Sequence, residues 1–145
     1  MRITQEADYA MRIVLALARR GEGVRLDAKS IATEENVPQR FALKILRKLT
    51  KAGVVKSFRG VQGGYAISRA PIDINMHDVI VAIDGPVYIN RCLETPESCN
   101  LNRTEHCAIH HELGRIQSMI NDEMVKVDFE MLLKSSDSLT QILQK

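Results

Sequence analysis

Cys92, Cys99 and Cys107 are the only cysteines of this 145-residue chain, and they lie within Arg91–His111 together with three of its four histidines, His106, His110 and His111. Thiolate sulfur is a soft ligand suited to iron–sulfur clusters or to zinc, and imidazole can serve either metal. Pro96, Asn100 and Asn102 interrupt any helical or strand period, so the stretch reads as a polar loop that can wrap its donors around a compact centre. Six residues separate Cys92 from Cys99, and seven separate Cys99 from Cys107. Three thiolates leave a fourth position open. His110 follows Cys107 by three residues, about one helical turn, so the two side chains can face one site. His106 and His111 fall on other faces, although His106 could still ligate from the loop. The Cys107–His110 spacing is also zinc-like, but the chain has no second close pair of ligands. Free, redox-active thiols are the third reading. A disulfide framework is not expected, because three cysteines cannot all pair within one chain.

The elements that must position this loop follow from composition and period. With 45% hydrophobic and 26% charged residues, the chain reads as one globular domain, or one domain with an attached helix. Glu6 and Asp8 precede the first apolar residues and no small-residue cleavage site follows, so the N-terminus does not read as a signal peptide. No apolar run approaches the length of a membrane span, and a cytoplasmic protein without membrane contact is expected. The net charge of +2 conceals a local bias: Gln39–Arg59 holds seven basic residues (Arg40, Lys44, Arg47, Lys48, Lys51, Lys56, Arg59) and no acid. Such a block suggests a site for a polyanion.

Ala10, Ile13, Val14, Leu17 and Ala18 recur at helical spacing, with Thr4 as N-cap and Gly21 as stop. A short second helix starts after Asp27 and buries Ala28, Ile31 and Ala32. Pro38 forces a turn and opens a third helix whose apolar positions are Phe41, Ala42, Ile45, Leu46 and Leu49, with Gly53 as its stop. Its basic residues form one stripe on the opposite face, and two helices joined by a tight turn make a helix-turn-helix pattern. Val54–Phe58 and Tyr65–Ser68 read as strands around the glycines Gly60, Gly63 and Gly64, which places a β-wing directly after a recognition helix. Asn75 and Asp78 form a capping box for a fourth helix that buries Val79, Ile80, Ala82 and Ile83. Beyond the loop, Ile109, Leu113, Ile116, Ile120, Met124 and Val127 mark a long helix, about 30 Å from His106 to Val127. Its apolar seam needs cover, and a second copy of the chain is the economical source.

The fold class expected is therefore mainly α with a small β-wing: a winged helix-turn-helix with a long C-terminal dimerisation helix. Residues 1–84 form the DNA-binding domain, 85–108 the cysteine-rich loop, and 109–145 the dimerisation helix and a C-terminal tail. Gln39, Arg40 and Lys44 near the start of the third helix, with Arg59 and Gln62 in the wing, are the candidate contacts to double-stranded DNA. Ile109, Leu113, Ile116, Ile120 and Val127 are the candidate seam of a homodimer. No nucleophile–base arrangement is present, and "GVQGG" is followed by no Lys-Ser/Thr, so it is no phosphate loop. An enzyme is not expected. The rival class is a zinc-stabilised or cluster-carrying interaction module without DNA activity.

These motifs together resemble the Rrf2 family of bacterial transcription regulators. "MRITQEADYAMRIVLALA" is similar to that family's first helix, and "IATEENVPQRFALKILRKLTKAGVVKSFRGVQGGYAIS" to its helix-turn-helix and wing, including the R-G-x-x-G-G-Y turn at Arg59–Tyr65. "INMHDVIVAIDGP" resembles the segment that leads into its cysteine loop. The resemblance implies a homodimer with crossing long helices, each winged helix reading half of a pseudo-palindromic operator. It also implies an iron–sulfur cluster, 2Fe–2S or 4Fe–4S, on Cys92, Cys99 and Cys107, as in members that sense nitric oxide, iron or cluster supply. Other members lack the cysteines. The gaps between cysteines are longer here than in familiar cluster-binding members, which bears on cluster type. For the fourth ligand, His110 resembles the histidine-ligated 2Fe–2S branch. Asp8 matches the position from which nitric-oxide-sensing members supply an aspartate across the dimer.

Overall fold

A computed structural model describes residues 3–143. The first helix, α1 (Gln5–Arg20), starts where Thr4 Oγ1 accepts the Ala7 amide at 3.1 Å and ends at Gly21, whose φ of 93° a side chain would oppose. Its Ala7, Ala10, Ile13, Val14 and Leu17 are fully buried and form the spine of the core. Asp27 caps α2 (Ala28–Glu34) by accepting the Ser30 amide at 2.9 Å. The turn to α3 (Gln39–Lys51) passes through Asn36 at φ 50°, a conformation asparagine tolerates, and buries Val37. Ala42, Ile45, Leu46 and Leu49 of α3 pack into the core, but Phe41 does not. It is 42% exposed, because it lies about 90° around the helix from the centre of the buried stripe.

The wing is an antiparallel pair, β1 (Val55–Phe58) and β2 (Gly64–Ile67), with Val55 opposite Ile67 and Phe58 opposite Gly64. Leu26 adds a bridge to Tyr65 on the outer edge. The paired glycines of the turn are steric necessities. A Cβ on Gly63 would collide with the carbonyl oxygen of Phe58, and one on Gly64 would lie 2.7 Å from that of Leu26. A 3-10 turn at Pro71–Asp73 leads to α4 (Met76–Asp84), which starts with the expected Asn75–Asp78 capping box.

After α4 the chain runs through α5 (Arg91–Glu94), 3-10 turns at Pro96–Ser98 and Thr104–His106, then α6 (Ala108–Lys126) and α7 (Phe129–Leu143). The segment beyond Val127, expected as a tail, is helical. Asp128 Oδ1 accepts the Met131 amide at 2.8 Å, and Phe129 N–H bonds to the Ile74 carbonyl at 2.9 Å. This short backbone pairing swings Phe129 fully into the core, where its ring contributes roughly 1.5–3 kcal/mol of burial. α6 packs on α4 and α5, and α7 returns against α1. Among the described residues no helix is long and apolar enough to cross a membrane.

Candidate nucleic-acid interface and cysteine loop

The outer face of α3 carries Gln39, Arg40, Lys44, Arg47 and Lys51, all exposed. The basic block that is free of acid in sequence is not free of it in space. Glu6 of α1 places its Oε2 3.0 Å from Lys44 Nζ and its Oε1 2.8 Å from Lys48 Nζ. Lys48 Nζ also donates to the Ile83 carbonyl at 3.0 Å, at the end of α4. Burial opposes the charge on Glu6, but hydrogen bonds from Lys48 and Lys44 outweigh it and hold the carboxyl below its ordinary value. Two of the lysines thus share one carboxylate within the protomer, while Arg40, Arg47 and Lys51 stand in no ion pair among the described residues.

In the wing, Arg59 and Gln62 are exposed beside Val61 at the tip. Sequence reading missed their support. The Arg25 guanidinium lies 3.9 Å over the Phe58 ring and donates to the Gln62 carbonyl at 3.2 Å, so the loop before α2 holds the wing turn in place. An arginine in the short irregular stretch between α1 and α2 gives no periodic signal that would have revealed this.

The three thiols are free and half-buried. Cys92 sits on α5, Cys99 ends one 3-10 turn, and Cys107 ends the next and precedes α6. His110 Nδ1 lies 3.4 Å from Cys92 Sγ, so His110 is brought to a cysteine, but to Cys92. His111 is engaged elsewhere, its Nε2 2.8 Å from the Glu105 carbonyl. Backbone amides of Arg103 and Leu101 bond to the Cys99 sulfur and hold its thiol below the usual range. Asp8 is exposed on α1 and pairs with Arg12 at 3.6 Å. Among the described residues, no three His, Cys, Asp or Glu side chains converge on a common point.

Gln117 of α6, another residue the sequence reading passed over, is 7% exposed. Its Oε1 accepts the Ile89 amide at 2.7 Å and its Nε2 donates to Asn121 at 3.0 Å. It ties the start of the cysteine loop to α6. At the C-terminal end of α4, Thr4 Oγ1 donates to Asp84 at 2.6 Å, which ties α1 to the same junction. Of the proposed seam, Ile109 is 71% and Ile116 39% exposed, whereas Leu113, Ile120 and Val127 are half-buried.

A profile of the Rrf2 family, described as an iron-dependent transcriptional regulator, matches residues 3–135. An rrf2-like HTH-type transcriptional regulator of Rhodobacter capsulatus is 43% identical over 94 residues, which span 63% of each chain. The HTH-type regulator NsrR of Bacillus licheniformis is 24% identical over 99% of both chains. The structure of CymR of Bacillus subtilis superposes with a TM-score of 0.72 at 26% identity, covering 93% of this chain and 98% of that one. The helix-turn-helix, the braced wing and the extent of these matches lead to one conclusion: the chain belongs to the Rrf2 family of transcriptional regulators, proteins that bind DNA and are not enzymes.

Proposed function

We propose that the protein is a homodimeric regulator that binds a duplex operator through α3 and the wing, and whose binding is controlled by an iron–sulfur cluster on Cys92, Cys99 and Cys107. The observation that carries this reading is the place of the three thiols. All are free, half-buried and contained in the single segment that joins α4, at the end of the winged helix, to α6. The donor set fits a cluster. Sulfur is the right ligand type, amides already stabilise charge on Cys99, and His110 stands beside Cys92. The family description as iron-dependent agrees with it.

When bound, a cluster supplies a centre whose integrity depends on oxidants, nitric oxide or iron–sulfur supply. The chain's own residues convert loop order into recognition-helix position. Gln117 holds Ile89 to α6, Thr4 holds Asp84 to α1, and Lys48 links α3 to both Ile83 and Glu6. The loop between has only short helical turns, so drawing its thiols together is an order–disorder change of the kind that switches use.

Anaerobically purified protein should contain iron and acid-labile sulfide and absorb in the visible range. Cys92→Ala, Cys99→Ala and Cys107→Ala should each lose the cluster, keep the fold and change operator affinity. His110→Ala and Asp8→Ala distinguish the fourth ligand, since the true one leaves a bound but more oxygen-labile cluster. A triple cysteine variant that binds the operator like the loaded protein overturns cluster control.

A second reading is favoured by one observation, the amide-stabilised thiol of Cys99 in a loop whose donors do not converge. It is a thiol-based regulator without a cluster, in line with the likeness to CymR, described as the global cysteine regulator of B. subtilis. Reversible oxidation that alters operator binding, in protein free of iron and zinc, would establish it. Zinc in place of iron would mark the loop as a structural site.

A further inference from the structure

Phe41 presents an unexplained group. It is 42% exposed on the recognition helix, although four neighbouring apolar residues of that helix are fully buried. With Leu43 it floors a shallow concavity of about 800 Å³ on the outer face of α3, rimmed by Gln39, Arg40, Lys44 and Arg47. The Arg40 guanidinium stands 6.0 Å from the ring centre, at the outer reach of a cation–π contact. The rim suits a polyanion, but a phenyl gains nothing from a phosphate. On a surface that faces duplex DNA its natural partner is an apolar group at the edge of a base pair. In the major groove there is one such group, the C5-methyl of thymine.

We infer that Phe41 is a specificity-determining residue that reads a thymine methyl in each operator half-site. Arg40 and Arg47 carry the flanking phosphate contacts that seat the helix, and positioning contacts of that kind do not themselves specify a base. The inference rests on the proposal that α3 enters the major groove of an operator. It adds the base that the apolar floor selects and assigns that choice to one side chain.

The test uses full-length protein and an operator selected from a random duplex pool. Each thymine of a half-site is replaced in turn by deoxyuridine, which removes only the methyl and keeps every hydrogen-bonding group. One replacement should weaken wild-type binding about fourfold, the expectation for one lost methyl contact. Phe41→Ala should bind the thymine and uracil operators alike, while Phe41→Leu, which keeps an apolar tip, should retain part of the discrimination. Circular dichroism of both variants should match wild type, since the side chain lies outside the core. If the wild-type protein selects an operator but no uracil position matters, or the uracil effect persists in Phe41→Ala, the inference is overturned and the DNA reading stands. If no sequence is selected from the pool, both fall.

Discussion

Glu6 sets the electrostatics of the recognition helix by standing between two of its lysines. With α3 on DNA as proposed, Lys44 would meet it already engaged by a carboxylate, and a phosphate would have to compete for it. Glu6→Gln should strengthen non-specific binding and steepen the log–log salt slope of a dimer by about two, as about one more phosphate per protomer is neutralised. Titrations of random duplex at several salt concentrations check this; an unchanged slope would mean the lysines lie off the DNA path. The same carboxylate carries a pH signature. Its native value is lowered, so the pair stabilises the fold above the ordinary glutamate range. That contribution is lost as pH falls below that range and through the native value. Urea midpoints of wild type and Glu6→Gln should accordingly converge on acidification. Neither Glu6 nor Phe41 was legible in the sequence in this role. The contact from Glu6 to Lys44 bridges thirty-eight residues, beyond the reach of any local pattern. Phe41 adjoins a buried alanine, and a helical stripe has no sharp edge that would exclude it.

At the scale of elements, what could be read was what local chemistry dictates. The caps at Thr4, Asp27 and Asn75 are side-chain–backbone bonds within three residues, and they fix where α1, α2 and α4 begin. The glycine pair of the wing answers a steric demand that any sequence making this turn must meet. The junction of α6 and α7 was illegible for the opposite reason. It has no glycine or proline, and its break depends on backbone pairing with Ile74 and Asn75, more than fifty residues earlier. The cap at Asp128 and the apolar trio Phe129, Leu132 and Leu133 were the available signal, masked by the seam pattern running into Val127. Because Phe129 is fully buried, Phe129→Ala should cost about 3–5 kcal/mol and lower the thermal midpoint strongly. Arg25→Ala should behave in the reverse way. It removes the brace from Phe58 and Gln62 at the surface, so operator affinity should fall while the midpoint hardly moves.

For the whole molecule the open question is what covers α6. Ile109, Ile116 and Met119 are 71%, 39% and 55% exposed, and their spacing of seven and three puts them along one side of the helix. A monomer leaves this stripe in water; the proposed two-fold copy would cover it and set two recognition helices on one duplex. With Arg40, Arg47, Lys51 and Arg59 available in each protomer, three or four phosphates per subunit would give a log–log salt slope of about −5 to −7 for the dimer. Ile116→Glu separates assembly from folding, because a carboxylate at this half-exposed position remains hydrated in the monomer. In the dimer it would be buried at the crossing without a partner, at a cost of several kcal/mol. Light scattering should then find a folded species of half the wild-type mass. Its operator binding should be weaker and its salt slope close to half, since each protomer now meets a half-site alone. A variant that remains a dimer with the wild-type slope would place the interface on another face, and the exposed end of α7, with Leu139, Ile142 and Leu143, would be the next to test.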